Sequence, residues 1–157
     1  MAEHTIKAFD EEIDRLRGLI AEMGGRAEAA IENAMLALQR QDQRLAAEVV
    51  ADDKRIDALE AEVEKLVVQI IALRAPMAND RRDVIAALKI VSVVERIGDY
   101  AKNIAKRVPL IAANQHKLEP VSLLPSMGQV AAEMVHDVLN AFAARDAELA
   151  LAVVERD

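Results

Sequence analysis

Apolar residues recur at three- and four-residue intervals along almost the whole chain, and that pattern restricts the fold to packed amphipathic helices. In the first stretch the series runs Ile13, Leu16, Ile20, Met23, Ala27, Ala30, Ile31, Ala34 and Leu38, one face of a helix predicted from near Ile6 to about Arg40. Gly24 and Gly25 interrupt it. Each glycine costs roughly 1 kcal/mol against alanine in a helix interior, so the pair marks either a bend, a close helix contact or a harmless weak point. Asp42 is placed to cap a second helix that continues from Leu45 to Leu73 before Pro76 stops it, with a turn over residues 75–80. Asn79 or Asp80 then caps a third helix, apolar on most of its circumference from Val84 to Val108, which Pro109 is expected to bend or end. Residues 114–125, containing Pro120 and Pro125, read as a connector. A fourth helix follows from about Met127 to Ala144, and Asp146 caps a last segment over residues 147–157.

Composition agrees with an all-α chain. Hydrophobic residues make up 53% of the 157 positions but aromatic ones only 2%, so Ala, Leu, Val and Ile must fill the core, which excludes a sandwich, a barrel or a doubly wound sheet. The formal net charge of -7 leaves no basic footprint for nucleic acid. Without cysteine, thiolate zinc sites and disulfides cannot form. The charged N-terminus lacks the apolar run of a signal peptide, and no apolar run reaches the roughly 18 residues of a membrane span, so a cytoplasmic helical bundle is expected.

The chain also repeats itself. A shift of 104 positions lays residues 37–53 over residues 141–157 with seven of seventeen identical, among them Asp42 over Asp146, Leu45 over Leu149, Val49 over Val153 and Asp53 over Asp157. The helix caps and apolar phases coincide, so the pattern predicts a duplicated three-helix unit. The expected division is a first up-down-up, spectrin-like repeat over 1–113, a connector over 114–125, and the start of a second, incomplete repeat over 126–157. Val130, Met134, Val135, Leu139, Phe142, Leu149 and Val153 would then be left exposed, and the chain would dimerise or swap helices to cover them.

Two carboxylate pairs carry the chemistry. Asp53 and Asp57 lie one turn apart on the second helix, and Glu95 and Asp99 one turn apart on the third. In an antiparallel hairpin turning near Pro76, Asp57 and Glu95 each lie nineteen residues from the turn and Asp53 and Asp99 twenty-three. At about 1.5 Å rise per residue the pairs meet at one height, and the small residues Gly98 and Ala101 let the helices close. Clustered carboxylates in a seam must bind cations, take up protons or form salt bridges. All-oxygen donors suit Mg, Ca, Mn or iron. The alternative is a metal-free scaffold in which Lys54, Arg55, Arg96 or Lys102 neutralises the acids. Glu60 is a possible further ligand. Glu133 and His136 form an ExxH spacing like that of di-iron bundles, but a single such motif reads as a surface pair, and His4 and His116 suggest nothing specific. No catalytic constellation is present in the sequence.

The run Asp52-Asp53-Lys-Arg-Ile-Asp57-Ala-Leu-Glu60, then Asn79-Asp80-Arg-Arg-Asp83, Ala87-Leu-Lys-Ile90 and Glu95-Arg-Ile-Gly-Asp-Tyr-Ala-Lys-Asn-Ile-Ala105, resembles the PhoU family of bacterial phosphate-uptake regulators over the whole chain. The resemblance implies two similar three-helix bundles whose E(D)xxxD pairs can bind iron or zinc clusters, here Asp53, Asp57, Glu95 and Asp99, with Asp157 opening a second site. It also implies a non-enzymatic negative regulator that contacts the ATPase subunit of the phosphate ABC transporter and a phosphate-sensing histidine kinase. Such a protein meets the membrane only through those partners. On the 104-residue period a full member carries roughly two helices more than this sequence.

Overall fold

The computed structural model describes residues 2–74, 78–114 and 123–156, with side chains described from residue 9 onward except at 74 and 78–80. Its elements are α1 (Ala2–Arg40), α2 (Gln43–Arg74), α3 (Ala78–Ala113), α4 (Leu124–Ala144) and α5 (Ala147–Val154). Pro76, Pro120, His116 and Asp157 lie outside the described residues, as do the side chains of His4, Asn79 and Asp80. The turn expected over 75–80 is shorter than the spacing suggests: α3 already begins at Ala78, so Asn79 and Asp80 lie within its first turn and do not cap it.

Helices α1, α2 and α3 each pack against the other two, and α4 lies on α1 and carries α5. Cross-helix pairs fix the directions. Arg15 meets Glu62 at 2.8 Å and Arg26 meets Asp52 at 2.9 Å, so α1 and α2 are antiparallel. Between α1 and α4, Gly24 faces Leu139 and Gly128 faces Met35, again antiparallel. The interior is aliphatic, as the composition requires: Met23, Ile56, Leu59, Val63, Val67, Ile70, Val84, Val91 and Val108 are the largest fully buried side chains. Phe9 and Phe142 only border this core, and Tyr100 is exposed.

The two αα corners share one hydrogen-bonding scheme 104 residues apart. At the first, Asp42 N–H donates to the Ala37 carbonyl at 2.9 Å and Leu45 N–H donates to Asp42 Oδ1 at 3.0 Å. At the second, Asp146 N–H donates to the Ala141 carbonyl at 2.8 Å and Leu149 N–H to Asp146 Oδ1 at 3.0 Å. Gln41 and Arg145, one residue before each cap, both adopt left-handed backbone, at φ 53° and 56°. Each corner therefore ends one helix on a left-handed residue and starts the next on an aspartate N-cap.

Three expectations change. Pro109 does not end α3, which continues to Ala113; the proline sits on the exposed side while the neighbouring Val108 is fully buried, and that packing carries the helix past the missing N–H. Helix α4 starts at Leu124, earlier than the periodicity suggested, because Pro125 occupies its first turn, where no donor is lost. The face expected to be open is partly closed: Val135 and Val153 are buried, and Leu139 and Phe142 pack against the main core. Gly24 and Gly128 let α1 and α4 approach closely: a β-carbon at Gly24 would stand 2.1 Å from Leu139 Cδ1. Gly25, by contrast, has open space around it. Among the described residues no helix is long and apolar enough to cross a membrane.

Candidate metal centre

The site is built where α2 and α3 meet at Gly98. Gly98 makes this approach possible: a β-carbon at that position would lie 2.9 Å from Ile56 Cδ1 and 3.7 Å from Asp53 Oδ1. Ala101, one turn along, is buried as well, in the neighbouring core cluster with Ala34, Val49 and Ala105. Asp53 is thereby enclosed to 5% exposure and is the one buried charged side chain among the described residues.

A carboxylate so enclosed needs a compensating charge or hydrogen bonds. It finds Lys102 of α3, whose Nζ donates to Asp53 Oδ2 at 2.5 Å and also pairs with Asp99. The ammonium is itself only 19% exposed, while Asp99 opens further to solvent at 40%. The two hydrogen bonds to carboxylates raise the Lys102 pKa above the ordinary lysine value, with burial opposing. Lys102 in turn holds Asp99 below the ordinary carboxylate range, against a smaller desolvation effect. Lys102 is one of four cations that the sequence places near these acids. Arg55 instead reaches Glu22 on α1 at 3.0 Å, and Arg96 donates to the Tyr100 hydroxyl at 3.4 Å.

Further toward the hairpin turn the remaining acids gather, with no ion pair to Asp57, Glu60 or Glu95 among the described residues. Glu95 is half-buried, and desolvation raises its pKa first, followed by the charges of Asp99, Glu60 and Asp57. Glu60 is raised in the same way by burial, with a hydrogen bond to Ser92 opposing and the charges of Glu64, Asp57 and Asp99 adding to it. The structure thus brings Asp53, Asp57, Glu95 and Asp99 into one seam with Glu60 beside them, in the antiparallel register that the spacing predicts. It does not converge them. Among the described residues no three Asp, Glu or His side chains group tightly enough to hold an ion. The donors are of the kind a hard cation takes, but between Asp53 and Asp99 the positive charge is Lys102.

The ExxH pair does not come together. His136 Nδ1 lies 3.2 Å from Glu28 on α1, and Glu133 accepts from Arg156 at 3.1 Å. Sequence reasoning did not anticipate the Glu28 contact, nor the Arg145 pair with Asp83 that ties the end of α4 to α3.

Long aliphatic-cored helices with paired carboxylates along one antiparallel seam define an all-helical bundle class. The PhoU domain family matches residues 20–108, which contain the whole of that seam. The chain belongs to the PhoU family. It is 54% identical over 98% of its length to the phosphate-specific transport system accessory protein PhoU homologue of Zymomonas mobilis. With the protein of the same name from Caulobacter vibrioides it shares 40% identity along its entire length. It spans 65% and 68% of those two relatives. The crystal structure of PhoU from Pseudomonas aeruginosa has the same fold, with a TM-score of 0.90 at 33% identity, covering 94% of this chain and 70% of that one.

Proposed function

We propose that this chain is a negative regulator of phosphate uptake and of phosphate-starvation signalling. It is a cytoplasmic adaptor without catalytic activity, joining the ATPase subunit of the phosphate ABC transporter to a phosphate-sensing histidine kinase. The observation that carries this reading is the 54% identity, over nearly the whole chain, to a relative named as an accessory of the phosphate-specific transport system. The acidic surface, with a net charge of -7, suits protein partners over nucleic acid, and the membrane is reached only through those partners. Deleting the gene should release phosphate-starvation transcription in phosphate-rich medium, and immobilised protein should retain both the ATPase and the kinase's cytoplasmic part. Unchanged transcription in the deletion strain would refute the regulatory role.

Asp53, Asp57, Glu95 and Asp99 are the proposed metal ligands. Their support is the shared seam and the all-oxygen donor set; the family likeness favours iron or zinc, and the donor set alone equally suits Mn, Mg or Ca. Metal content after purification without chelator should fall in an Asp53→Ala/Glu95→Ala variant. Equal content in both proteins would remove the assignment.

The repeat supports reading residues 1–113 as a first three-helix unit, 114–125 as a connector and 126–157 as the opening of a second. A groove of about 570 Å³ between α1, α3 and α4, lined by Met35, Ile97, Tyr100, Ile104, Met127 and Met134, is the surface through which two copies would associate as a homodimer. Light scattering across a concentration series tests this, and a monomeric mass throughout would defeat it.

A further inference from the structure

The carboxylate seam carries its own cation. We propose that Lys102 is a tethered counter-ion that closes the seam between Asp53 and Asp99, and that a metal ion enters only by displacing it. The inference rests on the metal-binding reading above and adds the residue that controls it.

The geometry gives the ammonium the position a cation would need. Its Nζ bridges one carboxylate from each helix, Asp53 at 2.5 Å from α2 and Asp99 from α3. Those are the acids that a shared ion would also have to bridge. Two features make the ammonium displaceable. Lys102 sits three residues after Asp99 on the same helix, so its flexible side chain can leave Asp53 without any movement of α2 or α3. The pair opens outward, Asp99 being more exposed than Lys102 and Lys102 more exposed than Asp53. Departure of the ammonium leaves Asp53 buried beside Gly98 with its charge uncompensated. A divalent ion between Asp53 and Asp99 would restore that compensation. The apparent dissociation constant is the intrinsic one divided by the fraction of molecules in which Lys102 is out. If the two-carboxylate bridge holds the seam closed in nine molecules of ten, removing the ammonium tightens binding about tenfold.

The test uses the full chain, stripped with chelator and dialysed, with Mn²⁺ as the probe and free ion read by electron paramagnetic resonance. Lys102→Met removes the charge and keeps the stem; Lys102→Arg keeps a cation in place. The expected result is about tenfold or tighter Mn²⁺ binding by Lys102→Met and no such gain for Lys102→Arg. Mn²⁺ should also raise the melting temperature of Lys102→Met more than that of the native protein. In the native protein itself, saturating Mn²⁺ should increase acylation of the Lys102 amine by a water-soluble ester, mapped by mass spectrometry. Native protein and Lys102→Met binding Mn²⁺ equally, or bound Mn²⁺ leaving Lys102 acylation unchanged, would overturn the counter-ion role while the metal site stands. Binding by Lys102→Met alone would overturn metal binding by the native chain and support the counter-ion role. No binding by either protein would overturn both.

Discussion

Cutting the Asp53–Lys102 pair from its two ends should have unequal effects in the metal-free protein. Lys102→Met strands a carboxylate that is 6% exposed, whereas Asp53→Ala leaves an ammonium that still holds the more exposed Asp99. Removing one partner of a buried pair costs about 3–5 kcal/mol, and the 19% exposure of Lys102 puts this pair at the low end. Lys102→Met should therefore cost about 3 kcal/mol, or roughly 6–12 °C in melting temperature for a chain of this size. Asp53→Ala should cost about 1–2 kcal/mol. Urea unfolding at pH 7 followed by circular dichroism at 222 nm, in EDTA, measures both quantities. If Asp53→Ala is the more damaging change, burial of the Asp53 charge is not what the pair compensates.

The other acids should respond in the opposite sense. Desolvation and neighbouring acids raise the Glu95 pKa, so its ionised form opposes folding as pH rises through the folded value. Glu95→Gln should stabilise the metal-free protein at pH 7 by less than about 1 kcal/mol, with the gain vanishing toward pH 4 in the same urea assay. Asp42→Ala removes the acceptor for the Leu45 N–H and should cost about 1 kcal/mol in thermal unfolding. Gly128→Val would drive a β-carbon to 2.3 Å from Met35 Cγ, close to the main chain of α1 and hard to relieve. It should cost about 1–3 kcal/mol and show first as faster amide exchange in α4. Unchanged exchange in α4 would mean that the two helices do not meet at that glycine.

Most of the architecture was legible because it is local. The three-and-four periodicity needs only neighbours on one helix, and Asp42 and Asp146 cap the helices that follow them through bonds three residues long. Even the register of the seam could be counted, since rise per residue is uniform on either side of a turn. That α3 continues past Pro109 is not legible in the sequence, because propensity weighs the lost N–H alone, while burial of Val108 beside it is a tertiary effect. The exposure of Val135 and Val153 was misjudged because it depends on where α4 lies, and α4 is positioned by Gly24 and Gly128 on different helices.

The sequence by itself determined an aliphatic helical bundle, its corners, and two carboxylate pairs at matching heights, all consequences of spacing along a helix of fixed geometry. Which of the nearby cations would meet those carboxylates was decided only by the tertiary structure. Lys54, Arg55, Arg96 and Lys102 are equivalent as charges on a string of residues. Close approach of α2 and α3 at Gly98 buries Asp53 and sets Lys102 against it, while Arg55 points to α1. Charge pairing depends on distance and desolvation in three dimensions, and neither exists until the helices have packed.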